Sequence, residues 1–379
     1  MRKFWLAMCG ILIVSAGGWS IFKVRSQQAS PITTIPTQIS TPSLNAPQLE
    51  GVEIRTVALT GAYPAGLDLD SKTGYFYVSN HDTMLNGCEG DEARYGKNTL
   101  SIVDPVQGKE VANTKTEAGA LGIQVDSGRD SVYVAGSRTG KIAFHALDTG
   151  EKSKTIPVGG QPFDLALNAE KGVLLISNTK DDHSKNMSVV DVNKKALFGT
   201  HETPDQPRGI ALDPDRGVAY MVSAKDGTIA IVDTDTGNVS TSFRPLEIKD
   251  SSGITFSSKL RRIFVVDTQE TSAITAIDAN SESLAGKIRF TENAVPASGM
   301  QVDDEAGLLY ATLPRSNAIG VAEAKTLKSL GIISVGKCPS AIKLDLERGL
   351  GVTANQGDDT VSVFDLGQVE IALKQKGDV

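Results

Sequence analysis

The chain is short of the residues that most site chemistry uses. Its 379 residues include four histidines, three cysteines and two tryptophans. No two cysteines stand in a Cys-x-x-Cys pair, which excludes the usual structural zinc and iron–sulfur centres and a disulfide-built miniprotein. Gly-x-Ser-x-Gly elbows, Walker loops, haem Cys-x-x-Cys-His and His-Glu-x-x-His helices are all missing from the sequence, so the common hydrolase, nucleotide and metalloprotease signatures are not there. No catalytic residue, metal ligand set or cofactor is assigned. Basic charge is in deficit as well: 38 Lys and Arg stand against 45 Asp and Glu. The first fifty residues take Arg2, Lys3, Lys23 and Arg25 against Glu50 alone, which leaves 34 basic and 44 acidic side chains in residues 51–379. Phosphate backbones favour basic surfaces because binding displaces condensed counterions, so nucleic acid is not an expected partner.

What is present divides into three parts. Residues 4–22 carry no charge, and as a helix they would span about 28 Å, close to the hydrocarbon thickness of a bilayer. Residues 1–25 are therefore expected to form a hydrophobic helix that acts as a signal peptide or a membrane anchor. Arg2-Lys3 and the small residues Ser15-Ala16-Gly17 suit a cleaved signal, whereas Lys23 and Arg25 close the run as interfacial flanks of an anchor do. Both readings place the remainder in the cell envelope, periplasmic or otherwise extracytoplasmic, and the anchor would hold it at the inner membrane. Residues 26–50 are rich in Ser, Thr, Pro and Gln, with Pro31, Pro36, Pro42 and Pro47 almost evenly spaced. Such a stretch buries no core and is expected to be a disordered linker.

Residues 51–379 repeat. A small residue followed by apolar-x-apolar, often ending in Asp, recurs as Gly66-Leu67-Asp68-Leu69-Asp70, Gly122-Ile123-Gln124-Val125-Asp126, Asp164-Leu165-Ala166-Leu167-Asn168 and Gly209-Ile210-Ala211-Leu212-Asp213. It returns as Gly253-Ile254-Thr255-Phe256-Ser257, Gly299-Met300-Gln301-Val302-Asp303 and Ala341-Ile342-Lys343-Leu344-Asp345. The starts are 56, 42, 45, 44, 46 and 42 residues apart, a period that marks four-stranded propeller blades. Within each copy, a turn, a β-branched or aromatic run, a run ending in Asp and a fourth run follow in order, all with strand signals. The expected fold is all-β, a seven-bladed propeller of four-stranded antiparallel blades. Residues 54–59 are expected to close the ring as the outer strand of the last blade, with 369–373 as the competing strand.

Tyr77-Val78-Ser79-Asn80, Thr360-Val361-Ser362-Val363-Phe364-Asp365 and Gln206-Pro207-Arg208-Gly209-Ile210-Ala211-Leu212-Asp213-Pro214 resemble the YVTN-type propeller repeat. The resemblance covers nearly all of 51–379 and is nearest to the YncE-type periplasmic propellers. It implies a bacterial envelope protein without an established catalytic motif and, for some members, single-stranded DNA binding. The polar insertion at 81–98 departs from that pattern.

Strands alternate in direction within a blade, so loops entering the inner strand share one face with loops between the second and third strands. That face is expected to carry His81, Asp82, Arg138, His183, Asp267 and Arg315, with Asp164 and Arg208 nearest the channel mouth, as ligand-binding candidates. Cys88 and Cys338 fall on neighbouring blades of the same face and form a candidate disulfide outside the cytoplasm. The leading functional expectation is a non-enzymatic binding or scaffold module that uses this face for a protein, peptide or small ligand, joined to the membrane through its N-terminus. Propeller enzymes of the lactonase or quinoprotein-dehydrogenase kind are the rival class, since the fold alone does not separate them.

Overall fold

The computed structural model describes residues 46–84, 96–179, 186–245, 248, 251, 253–267, 273–290 and 299–377. They form seven four-stranded antiparallel sheets, the blades of a propeller. The inner strands are Pro64–Leu69, Ala120–Asp126, Pro162–Asn168, Pro207–Asp213, Ile254–Ser257, Met300–Asp303 and Pro339–Asp345. From each, three further strands pair outward in chain order. The exception is the seventh blade, whose outer strand is the N-terminal Ile54–Ala58, in register with Thr360–Asp365 through Ile54 opposite Phe364 and Ala58 opposite Thr360. The ring is thus closed by pairing the two ends of the repeat region.

The repeated residues have local jobs. Five of the inner strands start with a β-bulge, as between Pro64 and Gly66 or between Pro162 and Leu165. A bulge leaves backbone groups out of the ladder, and a second-strand hydroxyl takes them: Gly66 N–H donates to Ser79 Oγ at 2.9 Å and Asp164 N–H to Ser177 Oγ at 3.0 Å. The following Asn then reaches the third strand. Asn80 Nδ2 donates to Ser101 Oγ at 2.8 Å, Asn178 Nδ2 to Ser188 Oγ at 2.8 Å and Asn355 Nδ2 to Ser362 Oγ at 3.0 Å. Hence the Ser-Asn that ends the second strand of blades 1 and 3: one residue repairs the bulge and the other fixes the neighbouring strand.

The apolar core lies in the seams between blades. Tyr77, Leu100 and Ile102 of blade 1, for example, pack in one cluster with Ile123, Val125 and Val134 of blade 2, and each such side chain stabilises its seam by roughly 1.5–3 kcal/mol. Polar links run beside them at the closing seam. Lys343 Nζ lies 2.7 Å from Asp68 Oδ1, Ser340 Oγ donates to the Pro64 carbonyl at 2.8 Å, and Tyr63 N–H donates to Asp359 Oδ1 at 3.0 Å.

Two expectations change. Residues 369–373 are not a strand, and the body is not entirely β: Leu366–Lys376 is an α-helix. Asp365 caps it by accepting the Gln368 N–H, Gly377 ends it in the left-handed conformation, and Leu366, Val369, Ala372 and Leu373 lie buried on one side. These apolar positions fit a helical spacing, which prevails over the β-branched character of the run. The end of the expected linker, residues 46–50, is also ordered against the propeller, with Ala46 and Leu49 buried. Among the described residues no helix is long and apolar enough to cross a membrane; residues 4–22 lie outside them.

Candidate functional site: the channel mouth

A cavity of about 430 Å³ opens where the inner strands begin. Its wall is mostly backbone and small residues, because the first position of the repeat is Gly66, Gly122, Gly209, Gly253, Gly299 or Ala341 in six blades. The seam demands this: a Cβ on Gly122 would sit 2.6 Å from the Phe163 carbonyl oxygen in the next blade. Blade 3 alone has a long side chain there, Asp164.

Asp164 turns its carboxylate into the seam toward blade 4. Oδ2 accepts the Ile210 N–H at 2.9 Å and Oδ1 accepts the Leu165 N–H at 2.9 Å. Burial nevertheless dominates and pushes its carboxyl up to about 6, against the pull of those two amides, with Asp68 raising it further and Lys343 lowering it. A raised carboxyl is one whose ionised form is disfavoured in the fold, so at neutral pH Asp164 costs stability that glycine in the other blades does not. Beside it, the Arg208 guanidinium lies 5.7 Å from the centre of the Phe163 ring, within reach of a cation–π interaction. Leu121, Met300, Ser340 and Gln356 complete the polar and apolar rim.

His81, Asp82 and Arg138 come together in a second cluster on the loops of blades 1 and 2. Arg138 Nη1 lies 2.6 Å from Asp82 Oδ2 and its Nη2 donates to Thr83 Oγ1 at 3.3 Å. His81 Nδ1 accepts the Thr83 N–H at 3.0 Å and lies 3.2 Å from Asp82 Oδ1. Burial holds His81 below its ordinary value, an effect the Asp82 carboxylate partly offsets. These three side chains do not line the channel cavity. Arg315 is exposed, in the 3-10 turn Pro314–Ser316 of blade 6, and is outside both groups. Cys338 is buried with φ 54°, and its N–H donates to Asn317 Oδ1 at 2.9 Å. Cys88 and His183 lie outside the described residues. Asp267 ends the second strand of blade 5, Arg262–Asp267, and its side chain is outside the described ones. Among the described residues, no group of three or more His, Cys, Asp or Glu side chains is placed to hold a metal ion.

Sequence reasoning missed Phe163, Gln356 and the pair Asp68–Lys343. With the seven repeats aligned on their first position, Asp164, already a mouth candidate from the sequence, is the one charged residue in a column of glycine and alanine.

These features define a seven-bladed β-propeller with a cavity at its channel mouth. No protein-family model and no curated protein matches the sequence. Among solved structures the chain is similar to hydrazine synthase of Kuenenia stuttgartiensis, with a TM-score of 0.69 and 14% identity over 81% of this chain and 97% of that one. At that identity the likeness extends to the fold and no further.

Proposed function

We propose that the protein is a non-enzymatic binding or scaffold propeller of the cell envelope that engages a protein, peptide or small ligand at the channel mouth. The observation that carries this reading is Asp164: a carboxyl with a raised pKa occupies the one place where the other six blades have glycine or alanine, next to Arg208 over Phe163. Residues that lower stability at a cavity rim are candidates for function rather than for folding. Both Asp164 oxygens are held by backbone amides, a geometry that suits a fixed recognition element better than a proton carrier and favours binding over the hydrolase reading. The resemblance to YncE-type propellers and the uncharged run at 4–22 support an envelope location, with the chain joined to the membrane or exported through its N-terminus. The acidic balance of residues 51–379 speaks against general single-stranded DNA binding. Cys338, buried immediately before the inner strand of blade 7, is read with Cys88 as a disulfide staple across the seam of blades 7 and 1.

Photo-crosslinking in cells producing the protein tests the face. A benzoylphenylalanine at 138, 208 or 315 is expected to give specific adducts, and one at 106 or 346, exposed positions in turns of the opposite face, is expected to give none. Adducts from 106 and 346 alone would overturn the assignment.

A further inference from the structure

Residues 46–49 lie along the outer strand of blade 6, Ser329–Ser334, as a short parallel addition centred on Gln48 opposite Ile332. Leu49 N–H donates to the Ile332 carbonyl at 2.8 Å and Ile332 N–H to the Pro47 carbonyl at 3.0 Å. Gln48 is held twice more, its carbonyl by Lys376 Nζ at 2.7 Å and its Oε1 by Ser334 Oγ at 3.1 Å. Leu49, 1% exposed, is the anchor, in one cluster with Leu330 of the blade and Val369 and Leu373 of the C-terminal helix. The seat is shaped for it: a Cβ on Gly331 would sit 2.6 Å from the Leu49 side chain and 2.8 Å from the Pro47 carbonyl oxygen.

Blade 3 supplies an internal comparison. Its outer strand, Ala196–Glu202, has the same bulge followed by glycine, Phe198-Gly199, as Leu330-Gly331 in blade 6. There Phe198 is 62% exposed, while Leu330 under residues 46–49 is 1% exposed. A blade therefore forms with this edge uncovered, and the cover on blade 6 is separable from the fold that carries it.

We infer that the groove between the outer strand of blade 6 and the C-terminal helix is a peptide-binding site of the strand-addition type, and that residues 46–49 are its ligand in cis. Its ligand class is an extended segment with a leucine anchor three residues after a small residue, flanked by free backbone donors and acceptors, as in Ala46-Pro47-Gln48-Leu49. Main-chain bonds would supply affinity and the Gly331 seat the selectivity, as in other strand additions. The N-terminal segment is then a displaceable strap: a matching segment in trans competes with it for one groove.

The test uses the full-length chain and a fluorescein-labelled synthetic peptide of residues 44–53, read by anisotropy. In the Leu49→Asp chain the strap leaves its seat, and saturable peptide binding is expected. The unmodified chain is expected to bind at least tenfold more weakly, since its strap competes at an effective concentration of about millimolar. A peptide carrying Leu49→Asp is expected to bind neither chain. Equal binding to both chains, or none to a Leu49→Asp chain whose blades retain native hydrogen exchange, overturns the inference. Should that chain fail to fold, Leu49→Ala in the chain weakens only the strap and leaves the groove residues intact. It is expected to raise peptide affinity severalfold over the unmodified chain, and no change would overturn the inference equally.

Discussion

His145 illustrates how a single buried side chain sets the response of the propeller to pH. It lies in the third strand of blade 2, Lys141–Ala146, with Nδ1–H donating to the Gly150 carbonyl at 2.7 Å and Nε2 facing Thr116 Oγ1 at 2.8 Å. A carbonyl only accepts, so Nδ1 carries the proton, and the Thr116 hydroxyl donates to Nε2. The neutral ring is fully satisfied. Burial holds its pKa down at about 4, against an ordinary 6.5. The unfolded chain therefore binds more protons between about pH 6.5 and pH 4, and stability is complete above that window and falls as pH drops through it. The loss attributable to His145 is up to about 3 kcal/mol. Thermal melts from pH 7.5 to 4.5 are expected to show a steep decline that His145→Gln flattens; parallel curves for the two chains would contradict this assignment. Its place inside a third strand and its two satisfied ring nitrogens make His145 a structural residue. Asp164 was legible as a mouth residue from its place at the start of the repeat unit. Its raised pKa was not, because that depends on which backbone amides and which neighbouring blade enclose it.

Secondary-structure elements were legible where period-2 patterning and turn residues repeat, since each blade gives the same signal independently. They were not legible where an element occurs once. The C-terminal helix follows the last strand with no linker, and its Val369, Ile371 and Leu373 alternate as a strand would; only the cap pair Asp365 and Gly377 marks a helix. Removing the cap is a direct probe. Asp365→Ala deprives the Gln368 N–H of its acceptor and is expected to cost about 1 kcal/mol, with faster amide exchange in residues 366–369 measured by mass spectrometry. Unchanged exchange there would show that packing alone defines the helix start. The strap escaped notice for a related reason. Pro47 and the polar neighbours of Leu49 read as linker composition, and the groove that receives them is assembled from residues nearly 300 positions away.

At the scale of the molecule, seven seams share the work that a single core does in other folds, and closure depends on ends distant in sequence. Ile54–Ala58 on the last blade, Lys343 against Asp68 and Ser340 on the Pro64 carbonyl all join blade 7 to blade 1 or to the N-terminus. The repeat period in the sequence foretold the blade count and the closing strand, because tandem units of equal design pack only against their neighbours. What the sequence leaves open is function, since one face of loops varies freely on a fixed scaffold. Hydrogen exchange followed by mass spectrometry, on the purified protein with and without envelope extract from its producing cells, tests the central claim most directly. The account predicts slowed exchange in the mouth loops at 60–63, 116–119 and 204–208 and no change in the turns at 71–74, 127–130 and 214–217. Protection of the turns with unchanged mouth loops would contradict it.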